Sequence, residues 1–447
     1  MQKNTTEIFE NAPIPKAVIL NVLPSIVSML MVLAYNLADT FFIGQTKNEY
    51  MIAAVSIATP AFLMFMAIGM LFGIGGTSLI SRLLGEGKNE KAKHVSAFCF
   101  WSGSAIGIVG MLGIWIFIEP LCKLIGADAD TLEYTKQYLM IVAAGVPFLI
   151  VGNIYSNVIR AEGKANKAMI GMVIGNMANI ILDPIMILNF GWGIKGAAIA
   201  TVLGNILAAV FYLIHLCSKH SILSIRIKDY MIGNGIATGV FLIGIPASLN
   251  SILMSTSNIV INRFIKGYGS MAVAGLGVAM KVNMIVVMLL VGIGTGIQPL
   301  LGYCYGAGNK KRFMGVLRFA LALVMVVSVI MTIFSYSNSE TLVHLFLDDE
   351  YAFSYSIQFV RTLMLSGPIL GVLFVFINTL QAMGAALPSL VLSISRQGLI
   401  YLPIVNIFSV IFDSAKMLVA AQPVTDYIAT GLSVLLFVIT YKKKFKG

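Results

Sequence analysis

Charge is scarce in this 447-residue chain. Only 11% of its residues are Asp, Glu, Lys or Arg, while 58% are apolar; soluble domains carry about 25% charged residues. That balance excludes an ordinary water-soluble globular protein and implies a polytopic membrane protein. Cysteine is sparse too. Cys99, Cys122, Cys217 and Cys304 lack ligand-type spacing, so neither a zinc site nor a disulfide framework is indicated. The four histidines, His94, His215, His220 and His344, form no HExxH pattern, and no Walker A loop or GxSxG elbow occurs. The chain is not expected to be an enzyme or to carry a resident cofactor.

Long apolar runs stand where the charge is missing. Stretches sufficient to cross a bilayer fall near 17–43, 52–81, 95–118, 134–158, 168–190, 196–217, 236–262, 271–302, 314–336, 353–379, 387–412 and 424–441. These make twelve expected spans in an all-α membrane protein. The first reads as a true span and not a cleaved signal, being too long and lacking a small-residue cleavage site. The hydrophilic connections are short and leave no room for a soluble domain.

A net charge of +11 invites a nucleic-acid reading, but its distribution argues otherwise. With the N-terminus placed inside, 20 of the 30 Lys and Arg residues fall in inner segments and eight at outer ends, while Lys281 and Arg396 lie within spans. The acidic run at Asp348, Asp349 and Glu350 falls outside. This asymmetry follows the positive-inside rule. It predicts a multi-pass protein of the plasma (inner) membrane with both termini cytoplasmic. Its partners are expected to be membrane lipids and small molecules, with no nucleic acid, and the chain is expected to be a monomer.

The second half echoes the first at an offset of about 221 residues. Pro24 matches Pro246, Asn36 matches Asn258, and Gly73 and Gly75 match Gly294 and Gly296. Gly85 and Gly87 match Gly306 and Gly308, Pro147 matches Pro368, and Asn157 matches Asn378. Six spans per half is an even number, so both halves start on the same side and the repeats are parallel. The expected lobes are residues 1–218 and 236–447, facing each other across a central cavity as in transporters. The basic connection 219–235 is expected to be a short interfacial helix or a solvated loop.

Against this apolar background two carboxylates stand out. Asp39 lies in LPSIVSMLMVLAYNLADTFFIG and Asp183 in MIGMVIGNMANIILDPIMILNFG. A charge within a span costs at least a few kcal/mol and is a functional hypothesis by default. Asn179 and Asp183 are four apart and share a helix face. Pro184 lacks an N–H, so the Ile180 carbonyl loses its helical partner. Carboxylate, carboxamide and carbonyl oxygens suit a hard cation such as sodium, or a proton. Depth links them to other helices. Asp39 precedes the end of its span at Gly44 by five residues, Asp183 precedes Asn189 by six, and Thr201 follows Lys195 by six. At about 1.5 Å per residue, all three lie roughly 8–9 Å below the outer ends. A shared polar pocket in the N-terminal lobe is the expectation. Spans 7 to 10 contain no Asp or Glu, and Asp413 and Asp426 are placed at the outer ends of spans 11 and 12, within reach of water.

This constellation resembles the multidrug and toxic compound extrusion (MATE) family over nearly the whole chain. The resemblance rests on the two six-span repeats, the glycine-bearing loops after spans 2 and 8, and the Pro-Asn pattern of spans 4 and 10. More specific are Asp in span 1, Asn-x-x-x-Asp in span 5 and Thr eighteen residues later, here Asp39, Asn179, Asp183 and Thr201. In the family these positions form the N-lobe site for sodium or a proton, which implies cation-coupled export of drugs and organic cations. One branch adds carboxylates in spans 7 and 10. This chain has Met254 and Ser255 in the relevant part of span 7, which aligns it with the branch whose coupling is confined to the N-lobe.

The leading expectation is an antiporter that exports amphipathic or cationic compounds in exchange for H+ or Na+. The 25 Met and 16 Tyr suit a cavity that repacks around different ligands. Tyr35 and Asn36, beside Asp39, and Asn153 and Asn157, on one face of span 4, are the candidate drug contacts. The alternative is a flippase for lipid-linked or polysaccharide precursors, whose anionic cargo calls for cavity Arg and Lys residues. A channel or a non-transporting sensor needs neither a carboxylate cluster at one depth nor a two-lobe repeat.

Overall fold

In a lipid interior every backbone N–H and C=O must be satisfied within its own segment, which favours helices. The computed structural model follows that rule. It describes residues 3–218, 221–346 and 350–446; Lys219, His220, Asp348 and Asp349 lie outside the described residues. Among the described residues there is no strand, and twelve helices are long and apolar enough to cross a membrane. These are α1 (Ile14–Gly44), α2 (Glu49–Gly85), α3 (Asn89–Ile116), α4 (Leu132–Ala161), α5 (Ala165–Asn189), α6 (Gly193–Cys217), α7 (Ile236–Tyr268), α8 (Ser270–Gly306), α9 (Lys310–Ser337), α10 (Ala352–Ala382), α11 (Ala386–Ile411) and α12 (Ala415–Lys444). The last begins well before the expected residue 424, because Pro423 is held inside the helix.

The repeat is written into the backbone. Gly87 and Gly308, after α2 and α8, both take positive φ (74° and 66°), as do Gly163 and Gly384 after α4 and α10 (78° and 63°). Each pair is 221 residues apart. L side chains rarely adopt this conformation, so glycine ends these helices at equivalent places.

The chain packs as two units. Val27–Gly244 form the core of one, and Ala12–Ile26 with Ile245 onwards form the other. The units cut across the repeat halves twice. The first part of α1 packs in the second unit, and the first part of α7 packs in the first. Glycines make both contacts close. In the first unit Gly75 lies against the Val240 carbonyl. In the second, a Cβ on Gly296 would come 2.7 Å from Val22 Cα. The neighbouring glycines are also equivalent: Gly73 faces Asn157, and Gly294 faces Asn378.

Among the described residues of the connection between α6 and α7, Ile227–Asp229 form a short 3-10 turn. Ile222, Leu223 and Ser224 are buried in the first unit, and Arg226, Ile227, Lys228 and residues 232–235 are exposed as in a solvated loop. The anchor is Glu162, which is 1% exposed. Its Oε1 accepts from Ser221 Oγ (2.7 Å) and from the backbone N–H groups of Ile222 and Leu223. Further along, the indole of Trp101 donates to the Ile225 carbonyl at 3.0 Å. A buried carboxylate needs several donors, and this segment supplies them.

Candidate functional site

Four helices of the first unit converge on the carboxylates. α1 presents Tyr35 and Asp39 one turn apart, α5 presents Asn179 and Asp183 one turn apart, α6 contributes Thr201, and α4 contributes Tyr138. Asp183 is fully buried, with Asn179 and Thr201 nearly so. The Asn179 amide satisfies its surroundings in one orientation. Its nitrogen donates to Asp183 Oδ2 at 2.8 Å, and its oxygen accepts from the Thr201 backbone N–H (3.0 Å) and hydroxyl (3.2 Å). Asp183 feels the charge of Asp39. Tyr35 interacts electrostatically with both carboxylates and with the Thr201 side chain. Tyr138 interacts electrostatically with Asp39, Asp183 and Tyr35.

The structure therefore brings Asp39, Asn179, Asp183 and Thr201 together. Asn179 spends its NH2 on Asp183 and its oxygen on Thr201, so it aims the carboxylate. One oxygen of each acid, Asp39 Oδ1 and Asp183 Oδ1, is buried without a hydrogen-bond partner. Leaving a buried acceptor unpaired costs about 1–3 kcal/mol, more when it is charged. Two such oxygens in one pocket form a donor set that a proton or a hard monovalent cation completes. No group of three His, Cys, Asp or Glu residues that could hold a metal occurs among the described residues, so the set is two carboxylates plus neutral oxygens.

Pro184 shapes the pocket floor. The α-helical part of α5 ends at Asp183, and Pro184–Asn189 continue as a π-helix. Proline cannot make the ordinary i→i−4 bond, and a widened turn is one way a helix passes such a point. One turn from each polar residue lies an apolar tier. Ile43 is four residues beyond Asp39, Ile187 four beyond Asp183, and Ala197 four before Thr201 on the antiparallel α6. These three are buried together, with Phe42 and Val55 packed against them. The tier separates the carboxylates from the helix ends at Gly44, Asn189 and Gly193.

The candidate drug contacts sit in different settings. Tyr35 belongs to the carboxylate pocket. Asn36 is exposed, its amide donating back to the Val32 carbonyl at 2.8 Å. Asn153 and Asn157 are half-buried on α4; Asn153 donates to the Leu149 carbonyl (3.0 Å) and Asn157 to the Asn153 carbonyl (2.9 Å). Asn157 also accepts from Arg160 Nη1 at 3.3 Å, and a Cβ on Gly69 would come 2.6 Å from Asn153 Cβ. Both asparagines thus pack the α2–α4 contact.

Two features escaped the sequence reading. Tyr138 lies six residues from the start of α4, about 9 Å deep, so the depth argument applied to tyrosine would have found it. Asp426 is not at the end of its helix in reach of water. It lies eleven residues inside α12 and is 1% exposed. Arg396 Nε donates to Asp426 Oδ1 at 3.0 Å, Gln422 to the same oxygen at 3.1 Å, and Ser366 to Oδ2 at 3.1 Å. The Arg396 guanidinium lies 5.2 Å from the Phe374 ring centroid. Arg396 lies in a second π-helical turn, Ser395–Ile400. Both Asp426 oxygens are thus partnered, unlike the open carboxylate oxygens of the first unit.

Comparison with known proteins gives three results. The MatE family model matches residues 24–185 and 246–408, once in each half. The multidrug export protein MepA of Staphylococcus aureus (strain N315) is 32% identical over 404 residues, covering 90% of this chain and 89% of MepA. MepA of Staphylococcus saprophyticus is 29% identical over the same shares. Among solved structures, the outward-facing conformation of a multidrug resistance MATE family transporter of the MOP superfamily superposes with a TM-score of 0.95 at 23% identity, covering both chains fully. A MATE structure in the straight conformation gives 0.94, also at 23% identity and full coverage.

Proposed function

The chain belongs to the MatE family, and from that premise we propose that it is a secondary active exporter of amphipathic or cationic drugs, driven by H+ or Na+ entering at Asp39 and Asp183. The observation that carries this reading is the pair of buried, unpartnered oxygens, Asp39 Oδ1 and Asp183 Oδ1, in one pocket of the first unit. A pocket that served packing alone would have no reason to retain two such acceptors.

The chemistry follows from electrostatics. Two carboxylates in a low-dielectric pocket repel, so a doubly ionised empty state is disfavoured. A cation held between them and a proton on one of them are alternative ways to relieve the repulsion, so ion and proton compete. Asn179 orients Asp183, and Thr201 joins Asn179 to Tyr35. Ion binding moves a transporter only through differential affinity for its two states. In this reading, neutralising the pocket lets α1 repack against α5 and α6, and drug contacts beside Asp39, at Tyr35 and Asn36, are lost. Linkage makes the effect reciprocal, so bound drug weakens ion binding by the same factor. The termini face the cytoplasm, the chain acts as a monomer, and the apolar tier faces outward.

The flippase alternative asks for cations free to meet an anionic cargo. Arg396 is committed to Asp426, and Lys281 lies 5.7 Å from the Phe346 ring centroid, so the residues present favour cationic cargo. The deciding experiment is uptake of a fluorescent cationic dye by inside-out vesicles under an imposed proton or sodium gradient. Gradient-dependent uptake that vanishes on collapsing the gradient supports antiport. Uptake indifferent to both gradients refutes it.

A further inference from the structure

The far end of the first unit from the carboxylates, where α4 ends, α5 begins and α6 ends, holds a second polar cluster that ion coupling does not use. A cavity of about 510 Å³ is lined there by Lys164, Lys167, Phe211, Ile214, His215 and Ser218. Beside it, a hollow of about 390 Å³ shares Ile214 and Ser218 and continues along Val210, Leu213 and Cys217 of α6. Residues 210, 213, 214 and 217 follow helical i, i+3, i+4, i+7 spacing, so they form one apolar strip running into the span.

The polar end of this double cavity is cationic. Lys164 Nζ lies 3.1 Å from Glu162 Oε2, and that carboxylate is also held by the α6–α7 connection. Lys167 is exposed and forms no ion pair among the described residues. His215 is nine-tenths buried, and its Nε2 has no hydrogen-bond partner, standing 3.6 Å from Glu162 Oε2. Nearby at the end of α4, Arg160 is buried with Nε and Nη2 also unpartnered. Lys164 and Lys167 of the lining together outweigh the one carboxylate, Glu162.

A positive cavity at helix ends, opening onto an apolar strip, matches a molecule with an anionic head and a hydrocarbon tail. Ammonium groups bind phosphate oxygens as point charges, and each lysine near an anionic membrane surface contributes about 1 kcal/mol of attraction. We propose that the Lys164–Lys167–His215–Ser218 cavity holds the phosphate of an anionic phospholipid, with an acyl chain along Val210, Leu213, Ile214 and Cys217. A soluble phosphate has no use for the strip, and a zwitterionic lipid has less use for the lysines. The inference is independent of which ion drives transport.

The test is native mass spectrometry of the purified full-length chain, titrated separately with dioleoylphosphatidylglycerol, dioleoylphosphatidylcholine and inorganic phosphate. Lys164 is left unchanged because it holds Glu162. The variants are Lys167→Gln, at the head, and Ile214→Trp, which fills the exposed groove. Expected are a first phosphatidylglycerol adduct at least about tenfold tighter than that of phosphatidylcholine, a loss of about tenfold in Lys167→Gln, as one charge-assisted contact predicts, and a comparable loss in Ile214→Trp, whose ring occupies the place of the acyl chain. Equal binding of the two lipids, or unchanged binding in both variants, overturns the proposal. Displacement of phosphatidylglycerol by millimolar inorganic phosphate also overturns it, since the site then belongs to a soluble anion.

Discussion

Asn179 turns its amide nitrogen onto Asp183 Oδ2 at 2.8 Å and its oxygen onto Thr201. One oxygen of Asp183 is thereby fixed while the other stays open. The arrangement assigns separate tasks to neighbouring residues, and each can be tested.

Asp39→Asn and Asp183→Asn keep the shape of the pocket but remove its charge. In Asp183→Asn the carboxamide oxygen still accepts from Asn179, so folding is expected to be little affected, with a thermal midpoint within a few degrees of wild type. Gradient-driven dye uptake is expected to fall to the level of vesicles lacking the transporter. Wild-type uptake by both single variants would sink the assignment.

Thr201→Ala removes the hydroxyl that meets Asn179 and Tyr35 but leaves both carboxylates. One neutral hydrogen bond contributes about 1 kcal/mol, so the half-saturating ion concentration is expected to rise roughly fivefold with the maximal rate largely retained. A complete loss of transport would mean that Thr201 has more than a supporting role.

Arg396→Met strands Asp426 in the interior of the second unit. Breaking a buried pair from one side costs about 3–5 kcal/mol, whereas replacing both partners is often nearly neutral. The single variant is expected to melt well below wild type, and Arg396→Met with Asp426→Leu is expected to recover most of the loss. A double variant no more stable than the single would show that the polar cluster as a whole holds α11 and α12 together.

Glu162 makes a pH prediction. Burial works to raise its pKa, but the His215 imidazole, the Lys164 ammonium, the Ser221 hydroxyl and the Ile222 N–H outweigh burial and hold the carboxyl below its ordinary range. A depressed folded value contributes stability that is complete above the ordinary glutamate range and is lost as pH falls through the folded value. Amide exchange at Ile222 and Leu223, corrected for intrinsic rates, is expected to stay protected from neutral pH down to that range and to accelerate below it. Glu162→Gln is expected to raise exchange there at neutral pH by about tenfold. Unchanged protection in that variant would mean the segment is held by its apolar contacts.

Much of this was legible in the sequence because it rests on local properties. Span length is read from apolar runs, and the shared level of Asp39, Asp183 and Thr201 follows from counting residues to a helix end. What was hidden depends on packing between distant segments. Asp426 looked exposed because the apolar run of span 12 begins only at residue 424, and its partner Arg396 lies 30 residues away on another helix. Glu162 lies just past the end of span 4, and its partners at Ser221 to Leu223 are about 60 residues further along the chain. The exchange of the first parts of α1 and α7 between packing units leaves no mark in composition. Ile43, Ile187 and Ala197 are invisible among dozens of similar side chains until their helices are assembled.

That apolar tier has an electrical consequence. Moving one elementary charge through a full membrane voltage is worth about 2.3 kcal/mol per 100 mV. Voltage falls mainly where water and mobile ions are absent, so one dry turn of isoleucine and alanine beside the acids concentrates part of the field there. In the proposed antiporter the tier insulates the first unit. Ions that leaked past Ile43 and Ile187 would run the membrane down with no cargo moved.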